Sequence, residues 1–187
     1  MKKILASAWE LVKMVVISLA IVLPVRYFLI QPFYVKGASM EPNFYDREYL
    51  IIDEISYRFN TPQRGDIIVF RYPHDPQEYF IKRVIGLPGE TVELKDGQIY
   101  IYNQQYPEGQ LLDEVYINEA IKTYSYTVDK VEVGADEYYV LGDNRLASKD
   151  SRSFGAVNKS FIVGRVFFRG WPVDRFGLMS EVNYQNK

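Results

Sequence analysis

Between Met14 and Val25 every position is apolar except Ser18 and Pro24, and after Arg26 the run resumes as Tyr27-Phe28-Leu29-Ile30. So continuous a run predicts a helix that is apolar on all sides, and Ser7-Ala8-Trp9-Glu10 reads as a capping box that opens it. Beyond residue 40 the pattern changes to short runs rich in β-branched and aromatic residues. These are Tyr49-Leu50-Ile51-Ile52, Ile67-Ile68-Val69-Phe70, Tyr79 to Ile85, Tyr138 to Leu141 and Ile162 to Phe168, each the length of a strand. Thr91-Val92-Glu93-Leu94 and Gln98-Ile99-Tyr100-Ile101 flank Asp96-Gly97, a type I′ hairpin signal. Residues 103–136 are polar, Tyr-rich and irregular, an excursion from the main sheet. The pattern predicts a mostly β domain, an antiparallel sheet or barrel-like body, hung from one N-terminal helix.

Three readings of the apolar run compete: an uncleaved transmembrane anchor, a cleavable signal peptide and a buried core helix. The small-residue site a signal peptide needs falls after Ala38, where Lys36 occupies a position that wants a small side chain. A core helix would strand Lys13 and Arg26. An anchor over 14–30 gives about 26 Å of helix, lets Arg26 snorkel, and sets Trp9 and Tyr27 at headgroup depth. With Lys2, Lys3 and Lys13 ahead of the span, residues 1–13 are expected in the cytoplasm and residues 31–187 outside, in one extracytoplasmic domain. Charge agrees: residues 1–38 carry +4 and the remainder −6, within a net −2. A mildly acidic body with no basic run argues against a nucleic-acid partner.

Composition then narrows the chemistry. The 187 residues include no cysteine, which excludes thiol nucleophiles, thiolate zinc sites and Fe–S clusters. The one histidine, His74, lies in the Pro-bracketed turn Tyr72-Pro73-His74-Asp75-Pro76 and is expected to be exposed rather than catalytic. What remains is a serine or threonine activated by lysine. A lysine base must be desolvated, so it belongs inside an apolar strand. Lys82, in Phe80-Ile81-Lys82-Arg83-Val84-Ile85, fits; alternation puts it on the face of Phe80 and Val84, with Arg83 on the other face. The same pattern suits an edge strand whose lysine points outward. Among many serines, Ser39 stands out in Gly37-Ala38-Ser39-Met40-Glu41-Pro42, a tight turn in which its own N–H can face a substrate carbonyl. A third segment, Gly142 to Arg152, is dense in hydrogen-bonding side chains and equally suits a solvated turn.

Together these segments resemble bacterial type I signal peptidase, a membrane-anchored Ser–Lys protease, in its shorter Gram-positive-like form. Ser39-Met40-Glu41-Pro42 is similar to the nucleophile box, Gly65-Asp66-Ile67-Ile68-Val69-Phe70 to a structural strand, Lys82 to Glu90 to the lysine box, and Gly142-Asp143-Asn144-Arg145 with Ser148 and Asp150-Ser151-Arg152 to the last box. Order and spacing match, and the resemblance runs from the anchor to Trp171-Pro172.

The resemblance implies a serine endopeptidase that cuts signal peptides from exported preproteins, needing no cofactor or metal. In it Ser39 attacks, Lys82 takes its proton, Ser148 hydrogen-bonds and orients the Lys82 amine, Asp150 and Arg152 pair to hold the loop, and Asp143 supports that loop. The Ser39 N–H would be one oxyanion donor; Gly37 stands where longer members carry a serine as the second. Substrates with small residues before the cut would bind as an added strand, and adjacency suggests Phe33, Ala38, Met40, Phe80 and Val84 as pocket residues. The aromatic run Val166 to Pro172 suits either a lipid contact or a core strand. Two alternatives stay open: a Ser–Lys self-cleaving regulator, and a membrane-tethered β module without activity.

Overall fold

The structure is a computed structural model that describes residues 2–28, 30–179, 182 and 184, with side chains for 9–22, 31–179, 182 and 184. Helix α1 covers Lys2–Phe28. It starts five residues before Ser7, so Ser7 to Glu10 lies inside the helix and is not its cap; the helix formers Ile4, Leu5 and Ala6 extend it upstream. Trp9, Leu11, Met14, Val16, Ile17 and Ile21 are all exposed on it. Among the described residues no helix is long and apolar enough to cross a membrane. Of the expected anchor, residue 29 and the side chains of residues 23–30, Arg26 and Tyr27 among them, lie outside the described residues.

Among the described residues the body is built of twelve strands: β1 Ile30–Tyr34, β2 Tyr49–Asp53, β3 Ile67–Tyr72, β4 Asp75–Gly86, β5 Thr91–Lys95, β6 Gln98–Tyr102, β7 Gln110–Leu111, β8 Lys130–Glu132, β9 Glu137–Leu141, β10 Val157–Asn158, β11 Ile162–Trp171 and β12 Gly177–Leu178. Single-turn helices α2 (Ser56–Phe59) and α3 (Ser151–Phe154) interrupt them. The main sheet runs β1-β2-β11-β3-β4-β9-β10, with β12 on β11, and every pairing is antiparallel. Among the described residues β1 and β10 are open ends, so the sheet does not close as a barrel. Pro32, which has no N–H to give a second ladder, sits on edge strand β1.

Alternation along the central strands buries both faces. On one, Val35, Met40, Phe44, Leu50, Ile52, Val69 and Val166 pack together. On the other, Ile68, Phe70, Val84, Tyr138, Val140 and Val157 do so. The hairpin at Asp96-Gly97 forms with both residues at positive φ, 55° and 77°, as a type I′ turn requires. Its strands make a second sheet, β7-β6-β5-β8. The 103–136 segment is therefore less irregular than expected, because β7 and β8 flank that hairpin. His74 is exposed at the β3–β4 turn, its Nδ1 3.1 Å from the Tyr72 hydroxyl.

Candidate active site

Three pieces of chain meet at Ser39. The first is its own turn, where Glu41 N–H donates to Ala38 O (3.2 Å) and Phe44 N–H to Met40 O (2.9 Å). The second is β4, which brings Lys82 Nζ to 2.7 Å from Ser39 Oγ and 2.8 Å from Ile81 O. The third is the loop after β9. There Asn144 N–H donates to Ser39 O (3.1 Å) and Asn144 Nδ2 to Ala38 O (3.1 Å). The approach is close enough to demand glycine at 142: a Cβ there would overlap Ser39 O and Ser148 Oγ and lie 2.6 Å from Ser148 Cβ.

Lys82 is 3% exposed, facing inward rather than out from an edge. Ile68 lies opposite it on β3, and the Phe80 ring centroid is 5.3 Å from its Nζ. Burial penalises the ammonium and pulls the pKa down to about 8, against an opposing pull from the more distant Asp150 and Asp143 carboxylates. Among the described residues no carboxylate forms an ion pair with it.

Asp150 and Arg152 form a buried two-pronged pair, Nε to Oδ1 and Nη2 to Oδ2 both at 2.8 Å. Asp150 also caps α3 by accepting from Arg152 N–H, and it accepts from Gly142 N–H. Asp143 turns away from that pair. It receives Arg83 Nε (2.8 Å) and Nη2 (2.6 Å), and Asn43 Nδ2 (2.8 Å), so it ties the loop to β4 and to the Ser39 turn. Arg83 reaches this partner from the face opposite Lys82, as strand alternation requires.

Ser148 departs from expectation. Its Oγ is buried with no hydrogen-bond partner among the described residues, and the second bond of the Lys82 amine goes to Ile81 O on its own strand. Two suggested pocket residues are also core. Met40 is 1% exposed among Val35, Phe44 and Leu50, and Val84 is fully buried with Ile68 and Val140, since β9 covers that part of β4. Ala38 is exposed beside Ser39, Phe33 is half-buried against Tyr79, and Phe80 is half-buried, stacked on Tyr72 at 4.6 Å. The Gly37 N–H donates to Asp46 Oδ1 at 2.7 Å, which occupies it.

Further residues surround the site. Arg145, 1% exposed, donates to Glu114 (2.7 Å to Oε2), Thr123 Oγ1 (2.5 Å) and Gly142 O (3.0 Å). Tyr116 lies under the Arg83 guanidinium at 3.8 Å and gives its carbonyl to Asn43 Nδ2. Glu114, Tyr116 and Thr123 belong to the segment whose composition reads as solvated loop; only Arg145, inside the dense 142–152 segment, was within reach of pattern reading.

A buried amine with a lowered pKa, in contact with a serine hydroxyl and clear of ion pairing, can remove a proton from that hydroxyl. Known proteins are similar to this chain over most of its length. The family described as "Signal peptidase, peptidase S26" matches residues 8–171. A Synechocystis sp. protein named "Probable signal peptidase I-2" is 40% identical over 182 residues, 94% of this chain and 79% of that one. "Signal peptidase I" of Leptolyngbya laminosa is 42% identical over 176 residues, covering 90% and 82% of the two chains. "Signal peptidase IB" of Staphylococcus aureus is 33% identical over 177 residues, covering 87% and 88%. Since the matched span holds the Ser39 turn, the Lys82 strand and the whole 142–152 loop, the chain belongs to the signal peptidase family, peptidase S26.

Proposed function

We propose that the chain is a membrane-anchored serine endopeptidase that cleaves signal peptides from exported preproteins through Ser39 and Lys82. The observation that carries this is the 2.7 Å contact between Lys82 Nζ and Ser39 Oγ in a water-poor site. Neutral Lys82 takes the hydroxyl proton as Ser39 Oγ bonds to the scissile carbonyl carbon. The resulting oxyanion is received by the Ser39 N–H, which donates to no other group among the described residues. The ammonium returns its proton to the leaving amine, giving an acyl-enzyme. Water, deprotonated by the same amine, then releases the acyl group and restores Ser39.

Exposed Ala38 and the half-buried rings of Phe33 and Phe80 are the surfaces beside the nucleophile for the small side chains of an extended substrate. Asp150 and Arg152 act through loop geometry and Asp143 through Arg83 and Asn43. The exposed apolar surface of α1 supports its role as anchor, and the lysines before it favour a cytoplasmic N-terminus with residues 31–187 outside. Val166 and Phe168 are taken up by packing, whereas Phe167 and Trp171 are exposed and suited to a lipid contact.

Incubating the purified chain with an exported preprotein in detergent tests the reading. Cleavage at the signal-peptide boundary is expected, and Ser39→Ala and Lys82→Arg should both abolish it, because a guanidinium does not shed its proton at working pH. Cleavage that survives in Lys82→Arg would refute the dyad.

A further inference from the structure

Against Asn43 and Phe44, just after the Ser39 turn, sits a charged cluster that the chemistry above does not use. Glu48 is 2% exposed and is held by two arginines from the far end of the chain. Arg175 Nη1 donates to its Oε1 at 2.5 Å, and Arg169 Nε lies 2.9 Å from its Oε2 as an ion pair without hydrogen-bond alignment. Both arginines also converge on one backbone oxygen: Arg169 Nη2 donates to Asn43 O at 2.5 Å and Arg175 Nη2 at 2.9 Å. The Arg169 guanidinium lies 4.8 Å from the Phe44 ring.

Asn43 is thus a junction. Its carbonyl is gripped by the two arginines, while its side chain donates to Asp143 Oδ2 and Tyr116 O. The next peptide N–H, that of Phe44, closes the turn onto Met40 O. Fixing the Asn43 carbonyl fixes the plane of that peptide, and with it the turn that opens at Met40, the residue directly after Ser39. A carboxylate buried with two guanidinium groups is a poor way to gain stability alone, since well-packed apolar side chains often do as well. Planar, directional donors set geometry instead.

We infer that Glu48, Arg169 and Arg175 are positioning residues, a brace through which the segment after β11 holds Asn43 and thereby sets Ser39 Oγ against Lys82. The inference rests on Ser39 being the nucleophile. Arg175 is the informative member, since it stands outside the strands, in the single turn Val173–Arg175, and its loss leaves the Arg169–Glu48 pair in place.

The test uses the full chain in detergent micelles with a quenched signal-peptide substrate. Arg175→Ala should lower kcat about ten- to a hundredfold, as a misplaced reacting group does, with KM within about twofold. The acidic limb of its pH profile should stay where it is in the unaltered chain, because Lys82 keeps its surroundings. Added guanidinium ion at millimolar concentration should restore part of kcat in Arg175→Ala and none in Ser39→Ala. Arg175→Lys, whose single ammonium cannot serve Glu48 and Asn43 O together, should fall between the two. It carries the same comparison if Arg175→Ala gives no cooperative melt. Unchanged kcat, a loss confined to KM, or a shifted acidic limb would overturn the brace. Activity surviving in Ser39→Ala would instead overturn the nucleophile assignment on which it rests.

Discussion

Replacing Phe80 by alanine tests whether burial makes Lys82 a base. With a pKa of about 8, roughly one amine in eleven is neutral at pH 7; at the ordinary value of 10.5 the fraction is about one in three thousand. Burial therefore supplies about three hundred times more free base, equivalent to about 3 kcal/mol. The Phe80 ring lies 5.3 Å from Nζ and is stacked on Tyr72, so its removal opens a path for water to the amine. Restoring about half of the hydration would raise the pKa by about one unit and lower kcat/KM at pH 7 about tenfold. The attraction of the ring for the ammonium works in the opposite direction, since losing it lowers the pKa. At 5.3 Å, close to the reach of about 6 Å for such contacts, and with a lysine over phenylalanine, the weaker partners on both sides, it is worth about 1 kcal/mol and is the smaller effect.

The assay is kcat/KM against pH with a quenched signal-peptide substrate. The unaltered chain should gain tenfold per pH unit up to a limb near 8, and Phe80→Ala should shift that limb upward with its alkaline plateau largely kept. Phe80→Leu, which retains an apolar shield, should leave the limb in place. Reading the limb rather than the amplitude separates base chemistry from any loss of substrate contact at Phe80. A limb that fails to move in Phe80→Ala, or one that lies near the ordinary lysine value of 10.5 in the unaltered chain, would refute desolvation as the source of the base.

Gly142→Ala should cost at least about a hundredfold in kcat, because the added methyl overlaps Ser39 O and Ser148 Oγ and drives the loop off the nucleophile turn; steady-state kinetics on the folded variant reads it. Removing Asp150 or Arg152 alone should destabilise the domain by about 3–5 kcal/mol by leaving a buried charge unpaired. Removing both should cost clearly less than the sum in denaturant unfolding. Stability should also rise with pH between about 8 and 10.5, by about 3 kcal/mol, because across that window the unfolded chain binds a proton at Lys82 that the folded chain has released. Unfolding of Lys82→Met over the same range should lack that increment.

Local pattern determined a good deal of this protein. The β-branched and aromatic runs Ile67 to Phe70 and Tyr79 to Ile85 favour strands, and Asp96-Gly97 fixes its own hairpin because these two residue types tolerate positive φ. The apolar neighbours of Lys82 suited a buried amine and an outward-facing one on an edge strand alike; the placing of β4 between β3 and β9 decided for burial. Tertiary structure decided what distant segments do to one another. Whether Ser148 meets the amine depends on how the loop settles around Gly142, and there Ile81 O took the place expected for its hydroxyl. Met40 and Val84 neighbour the reactive pair in sequence, yet strand order buries them under Leu50 and Val140. Asn43 shows the limit most clearly: its partners Asp143, Arg169 and Arg175 lie 100, 126 and 132 residues away. A hydrogen bond depends on spatial direction, and over such separations nothing in the sequence period specifies it; only the pairing of β11 with β2 brings those arginines to the turn.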